Sequence, residues 1–336
     1  MIETIYCETA VADHEISRDI FSRYPQAQVI NCERYTEVFN PKTQNFRLQK
    51  RKPALILAKK HQQWVLPAPT GYGIGAAHNY YFSHILNCLY DCRYCFLQGM
   101  YRSAHYVLFV NYEDFFEEIK KIQCQHSYTP CHFFSGYDGD SLALEPITGF
   151  VHRFIDYFSE LPQAVLELRT KSTQIRTLLN RPPISNCVVA FSFTPQELSQ
   201  AYEHKVPTVA ARIAAMLKLQ QQGWPIGIRL DPLLYHEHYQ SYYKTLVHSI
   251  FASLDPEKIH SVSLGLFRLP REFFKQIAQL YSEEAFFAQG NLKIQKNSIS
   301  YPEQLALEML HYCRNLLEQQ VDSAKIYHCH SAGETA

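Results

Sequence analysis

Cys88, Cys92 and Cys95 fall in one short stretch, Asn87-Cys88-Leu89-Tyr90-Asp91-Cys92-Arg93-Tyr94-Cys95, with the spacing C-x3-C-x2-C. A single loop can gather three thiolates that lie this close in sequence. Iron–sulfur clusters generally take a cysteine thiolate on each iron. Three cysteines with no obvious fourth therefore leave one iron of a [4Fe–4S] cluster open to an external ligand, and an open position is what marks a catalytic metal site. The competing reading is a structural zinc knuckle, which needs a fourth protein ligand; His84 and His105 are the candidates close by. The other cysteines, Cys7, Cys32, Cys124, Cys131, Cys187, Cys313 and Cys329, are scattered and read as buried thiols.

The chain that must position this loop has 336 residues, 46% of them hydrophobic, with only 12 glycines. That is ample for a packed core and carries no signature of disorder. Lysine plus arginine equals aspartate plus glutamate, 32 each, so bulk basicity of the kind that drives non-specific nucleic-acid binding is absent and any DNA contact must be local. The N-terminal residues show no basic-then-apolar signal pattern, and no apolar run reaches the ~18 residues of a membrane span. These features predict a soluble, cytoplasmic protein with no membrane association, in which clustered cysteines serve metal chemistry rather than disulfides.

The patterning predicts an α/β protein. Residues 1–75 read as a small N-terminal α/β appendage, with strands at 4–7 and 28–31 around a helix at 16–24. Residues 76–336 read as a partial (β/α)6 barrel followed by a C-terminal helix and strand. Short β-type runs near 80–86, 132–135, 165–170, 187–193, 226–230 and 262–266 alternate with helical segments, as in a parallel sheet wound by helices. Caps and periodicity agree best at Asn111 before 112–123, at Pro207 opening 208–222 with Gly223 ending it, and at Pro302 opening 303–318. In barrels of this kind, chemistry sits on the loops after the C-terminal ends of strands. The cysteine loop directly follows the first predicted strand.

The cysteine spacing, with Tyr94 immediately before the last cysteine, resembles the motif of the radical S-adenosylmethionine (SAM) superfamily. In that superfamily the amino and carboxylate groups of SAM chelate the fourth iron, and electron transfer to SAM yields methionine and a 5′-deoxyadenosyl radical. Residues 87–112, NCLYDCRYCFLQGMYRSAHYVLFVNY, further resemble the cluster loop of the spore photoproduct lyase family, and the likeness continues in order through 133–148, 168–171, 190–193 and 223–236. The resemblance implies a [4Fe–4S] cluster on Cys88, Cys92 and Cys95, SAM as cofactor, and an electron donor such as flavodoxin or ferredoxin. It places Tyr94 where the family's backbone contacts adenine, and Asp140, Lys171 and Ser192 where family side chains bind SAM. Read from the residues alone, Lys171 at a strand end suits a carboxylate, and Ser192 suits a ribose hydroxyl or a carboxylate.

Three positions depart from the family pattern. Tyr137 occupies the place of the cysteine that returns hydrogen to the product radical, and Phe96 stands where the family has a tyrosine. Residues 283–300 keep only Lys293 and Lys296 of a basic hairpin, while the strongest basic run, residues 47–61, is an alternative place for phosphate contacts. Two His-containing clusters, at 236–238 and 328–330, have no metal-ligand partner at defined spacing. The glycine-rich run 71–75 lacks the strand–loop–helix context of a phosphate loop and reads as a flexible approach to the barrel. The expected function is reversal of a thymine-dimer-type photolesion in DNA, with Tyr137 as candidate hydrogen donor. The alternatives are a radical SAM enzyme with another nucleic-acid, peptide or small-molecule substrate, and a non-catalytic iron–sulfur protein that binds nucleic acid.

Overall fold

The computed structural model describes residues 2–329 apart from Asn40, Thr43, Ser127, Gln289 and Lys296. Its main sheet has eight strands that pair in chain order: Val65–Pro67, His78–Phe82, Cys131–Ser135, Ala164–Thr170, Cys187–Ser192, Ile226–Leu233, Ile259–Leu266 and Ile326–Cys329. All neighbours are parallel except the first pair. The sheet curls into a half-barrel. The six strands read from the sequence are all present and adjacent, and Ile326–Cys329 adds a seventh parallel strand at the far edge.

These strands form where they do because they are apolar on both faces. Every residue of Cys131–Ser135 and Cys187–Ser192 is buried, the signature of parallel strands covered on one side by helices and on the other by the barrel interior. The helices carry the expected punctuation. Val209–Gln222 is capped by the Thr208 side chain and ends at Gly223, whose φ of 101° suits a left-handed C-terminal cap. Tyr112–Gln125 follows Asn111, and Glu303–Glu318 follows Pro302. Inside the half-barrel, Arg229 makes a two-pronged ion pair with Glu167, at 3.1 and 2.7 Å, with both side chains buried. Burial opposes ionisation of Glu167, but Arg229 and Arg169 outweigh it and hold its pKa down to about 2.

A second sheet runs in the order Gln28–Cys32, Thr4–Glu8, Leu55–Ala58, Tyr106–Phe109, Ile85–Leu86. Its last two strands flank the cysteine loop, so the N-terminal strands share a sheet with the segments that enter and leave residues 87–105. The loop is thereby held from both ends: it leaves the barrel after His78–Phe82 and is braced by the smaller sheet. Among the described residues no helix is long and apolar enough to cross a membrane.

Candidate active site

The cysteine loop is shaped by hydrogen bonds to its backbone as well as by the burial of Tyr90, Cys92 and Tyr94 in the core. Asn87 turns the chain with a φ of 67°, a left-handed conformation that asparagine tolerates, and its amide donates to the carbonyls of Ser103 and His105. Asp91–Cys92 pairs antiparallel with Glu203–His204, and the Arg93 N–H donates to the Tyr202 carbonyl. The Lys50 ammonium donates to the Cys88 carbonyl at 2.9 Å and the Tyr90 carbonyl at 3.1 Å. Arg93 is fixed between Asp91 and Glu284, each at 2.8 Å, with its guanidinium over the Tyr281 ring. The three cysteines then line one cavity, whose opposite wall includes Asp140, Lys171 and Ser192. That wall is supplied by the ends of Cys131–Ser135, Ala164–Thr170 and Cys187–Ser192 and the loops after them.

Each predicted SAM-side residue has a defined setting. Asp140 spends one carboxylate oxygen on the N–H groups of Leu142 and Ala143 and the Thr170 hydroxyl, and the other on the Lys171 N–H. It thus ties the loop after one strand to the end of the next. Gly136 opens that loop at φ 81°, where an added Cβ would lie 2.7 Å from the Ser141 hydroxyl. Lys171 reaches Glu203 at 2.8 Å, and Ser192 stands in the cavity wall with its carbonyl accepting from Arg212. Tyr94 is buried behind the cavity, its phenol bonded to Glu203 and Thr194.

Glu203 is the residue that sequence reasoning missed. Its fully buried carboxylate meets Lys171, Arg212 at 2.9 Å, the Ser199 hydroxyl at 2.6 Å and the Tyr94 phenol. Burial alone would push its pKa up, yet Lys171 and Arg212 hold it well below the usual carboxylate range. Since the Glu203 backbone also pairs with Cys92 in the two-residue ladder, one residue ties the cluster loop, by its backbone and the Tyr94 phenol, to Lys171 on the barrel wall. Lys50 and Arg169 are two further cavity residues without a sequence signal beyond their charge.

The donor set fits an iron–sulfur cluster. Burial raises the pKa of Cys88, Cys92 and Cys95, with Asp140 adding to the rise at Cys88 and Glu203 at Cys92, while Lys50 and Lys171 act in the opposite direction. Buried thiols of this kind release their protons to solvent when a metal takes the sulfur as thiolate. The zinc candidates are engaged elsewhere: His84 stacks on Phe150 with ring centroids 3.7 Å apart, and the His105 ring accepts from the Ala54 N–H. Among the described residues, no group of three or more His, Cys, Asp or Glu is placed to hold a single metal ion. Of the cysteines expected to be buried, Cys7, Cys32, Cys131, Cys187, Cys313 and Cys329 are, whereas Cys124 is exposed, on the outer face of Tyr112–Gln125.

Beside the cysteine cavity lies an aromatic group. The Tyr137 ring is 4.3 Å from Tyr81, 5.7 Å from Phe96 and 6.2 Å from Tyr72, centroid to centroid. Tyr72 comes from the glycine-rich run 71–75, which the sequence reading passed over as an approach segment; Arg169 lies over its ring at 4.8 Å. Burial and the neighbouring Asp138 raise the Tyr137 pKa, so the phenol keeps its proton at neutral pH. Arg169 and Arg268 both face Asp231, at 3.8 and 3.5 Å.

The basic run 47–61 is mostly committed to the protein itself. Arg47 pairs with Glu283, Lys50 turns into the cavity wall, Lys52 pairs with Glu3, and Lys60 is desolvated against Phe109 and Phe115. Residues 293–295 form an edge of a small antiparallel sheet whose middle strand is Ser298–Ser300 and whose other edge is Arg268–Pro270; Lys296 lies outside the described residues. His236 accepts from the His238 N–H, His328 meets Arg314, and His330 lies outside the described residues.

A parallel half-barrel whose first strand leads into a C-x3-C-x2-C loop, with a polar wall at the ends of the next strands, defines a radical SAM enzyme. The family model for spore photoproduct lyase matches residues 75–300, and the chain belongs to that family. Curated relatives carry the same name. The protein of Bacillus subtilis (strain 168) is 22% identical over 247 residues, 70% of each chain. That of Geobacillus sp. (strain Y412MC61) is 21% identical over 53% of each. Among solved structures, a spore photoproduct lyase variant with bound AdoMet and dinucleoside spore photoproduct superposes with a TM-score of 0.85 at 16% identity, covering 98% of this chain and 99% of the other. A spore photoproduct lyase complexed with the dinucleoside lesion gives a TM-score of 0.84 with the same coverage.

Proposed function

We propose that the protein is a radical SAM carbon–carbon lyase of the cytoplasm that reverses the spore photoproduct, a methyl-bridged thymine dimer, in DNA. The observation that carries this reading is the single cavity in which Cys88, Cys92 and Cys95 face Asp140, Lys171 and Ser192, in a chain belonging to the spore photoproduct lyase family. Bound there, a [4Fe–4S] cluster and SAM supply a 5′-deoxyadenosyl radical able to abstract hydrogen from the lesion. Cys88, Cys92 and Cys95 hold three irons. Lys171 and Ser192 orient the carboxylate and ribose of SAM, and Asp140 fixes the loop that faces them. A lesion buried in duplex DNA cannot reach a recessed radical, so it enters extruded from the stack. The reductant is a one-electron carrier such as flavodoxin or ferredoxin.

Tyr137 is the proposed hydrogen donor. Its phenol is protonated at neutral pH, half-buried beside Phe96 and packed against the tilted ring of Tyr81. The O–H bond breaks as the C–H bond of the product methyl forms, and one electron from the carrier plus a proton from water restores the phenol. A second reading keeps the radical machinery and changes the substrate. It is favoured by the same residue, because an aromatic pair at Tyr81 and Tyr137 also suits a flat ligand other than the thymine dimer. Solvent exchange separates the two. In deuterated water the released thymine carries deuterium in its methyl group if Tyr137 donates, and Tyr137→Phe abolishes that label; absence of thymine from an enzyme that still makes 5′-deoxyadenosine favours the second reading.

A further inference from the structure

The outer face of residues 46–52 lies directly behind the cysteine loop. Phe46 and Lys50 point inward, and the Lys50 ammonium is bonded to the carbonyl of Cys88 itself. Leu48, Arg51 and Lys52 point outward; Leu48 is 58% exposed, among the most exposed large apolar side chains described. Lys205, also exposed, donates its ammonium to the Lys50 carbonyl at 2.9 Å and so brings a further cation to the same face. Arg47 and Lys52 are paired with Glu283 and Glu3, whereas Arg51 and Lys205 have no acidic partner among the described residues. An exposed leucine rimmed by cations thus sits one hydrogen bond from the backbone of a cluster ligand, on a protein whose overall charge is zero.

We propose that this face, centred on Leu48 and Arg51, docks the acidic one-electron carrier protein that reduces the cluster. The inference rests on the radical SAM reading of the cavity. A small apolar centre with a charged rim suits electron-transfer encounters, which bury less than about 1,200 Å² and dissociate quickly. Rim charges of this kind set the association rate and its salt dependence more than the affinity. The electron enters through the Cys88 side of the loop, and the carrier is left oxidised by one electron for each electron the cluster gains. DNA is the poorer occupant, because the cations of this face ring an exposed apolar side chain rather than forming a continuous phosphate track.

The test uses the reconstituted holoenzyme and reduced flavodoxin as probe, following cluster bleaching by anaerobic stopped flow, with dithionite in parallel. Binding of oxidised flavodoxin is measured separately by fluorescence anisotropy. The double variant Arg51→Glu with Lys52→Glu is expected to slow reduction by flavodoxin at least about tenfold at low salt and to weaken the anisotropy signal in step. Leu48→Asp is expected to act in the same direction. Dithionite reduction and the 5′-deoxyadenosine it yields stay at wild-type levels in both variants. Flavodoxin reduction at the wild-type rate in both variants overturns the proposal, and if those variants instead lose affinity for duplex DNA, the face belongs to the nucleic acid. A wild-type holoenzyme that forms no 5′-deoxyadenosine with dithionite refutes the underlying enzyme reading instead, so the two failures are distinct.

Discussion

The two halves of the site are built from different materials. Around the cysteines, the structure uses buried charge and backbone hydrogen bonds: Glu203 joined to Lys171, Arg212 and Tyr94, Asp140 to four donors, Lys50 to two loop carbonyls. Around Tyr137 it uses half-buried aromatic faces at 4.3 to 6.2 Å. A buried ionic network tolerates little change, since removing one member leaves another charge without compensation. Aromatic packing is more forgiving, because each pair is worth only about 0.5–1.5 kcal/mol beyond its burial. Substitution is therefore expected to be tolerated better around Tyr137 and Phe96 than in the cysteine wall.

The sharpest way to break the comparison is at the cysteines. Cys92→Ala is expected to lower iron content after reconstitution from about four per chain to a small fraction and to abolish 5′-deoxyadenosine. Retention of an intact, active cluster would show that Cys92 is not a ligand. Next comes the network. Glu203→Gln leaves Lys171 and Arg212 facing no anion and should cost about 3–5 kcal/mol of stability in urea titration of the apoprotein. A smaller cost, near that of an exposed pair, would mean the network is solvated.

Tyr137→Phe keeps the ring and removes only the transferable hydrogen. Thymine release should fall about 10²-fold, equivalent to about 2.7 kcal/mol of barrier, while 5′-deoxyadenosine formation persists; equal loss of both products would assign Tyr137 to binding instead. Tyr81→Ala, which deletes an aromatic neighbour, should cost only about 1 kcal/mol, a fivefold drop in the same assay. The interior pair adds a pH test. Glu167 has its pKa lowered from 4.5 to about 2, so its contribution to apoprotein stability is complete above pH 4.5 and is lost as pH falls through 2. A flat stability profile across that window would contradict the ion pair with Arg229.

Much of this architecture was legible in the sequence because it depends on local pattern. The six barrel strands are short apolar runs, and the helices at 112–125, 209–222 and 303–318 are announced by Asn111, Pro207 with Gly223, and Pro302. The cysteines are a spacing motif, and Asp140, Lys171 and Ser192, at or just after strand ends, line the same cavity. Glu203 gave no such signal: it lies 108 residues beyond Cys95 in an unremarkable Tyr-Glu-His stretch, and only the two-residue ladder with Cys92 brings it to the site. Tyr72 was hidden by its glycine-rich surroundings. The basic run 47–61 shows the opposite limit, since sequence gives charge but not whether Lys50 faces solvent or the Cys88 carbonyl.

The most direct measurement is anaerobic reconstitution with iron and sulfide, then incubation with dithionite and SAM, with and without dinucleoside spore photoproduct, quantifying 5′-deoxyadenosine and thymine separately. The account predicts both products in the presence of the lesion and 5′-deoxyadenosine without thymine in its absence. A correctly loaded [4Fe–4S] protein that yields neither product would contradict it.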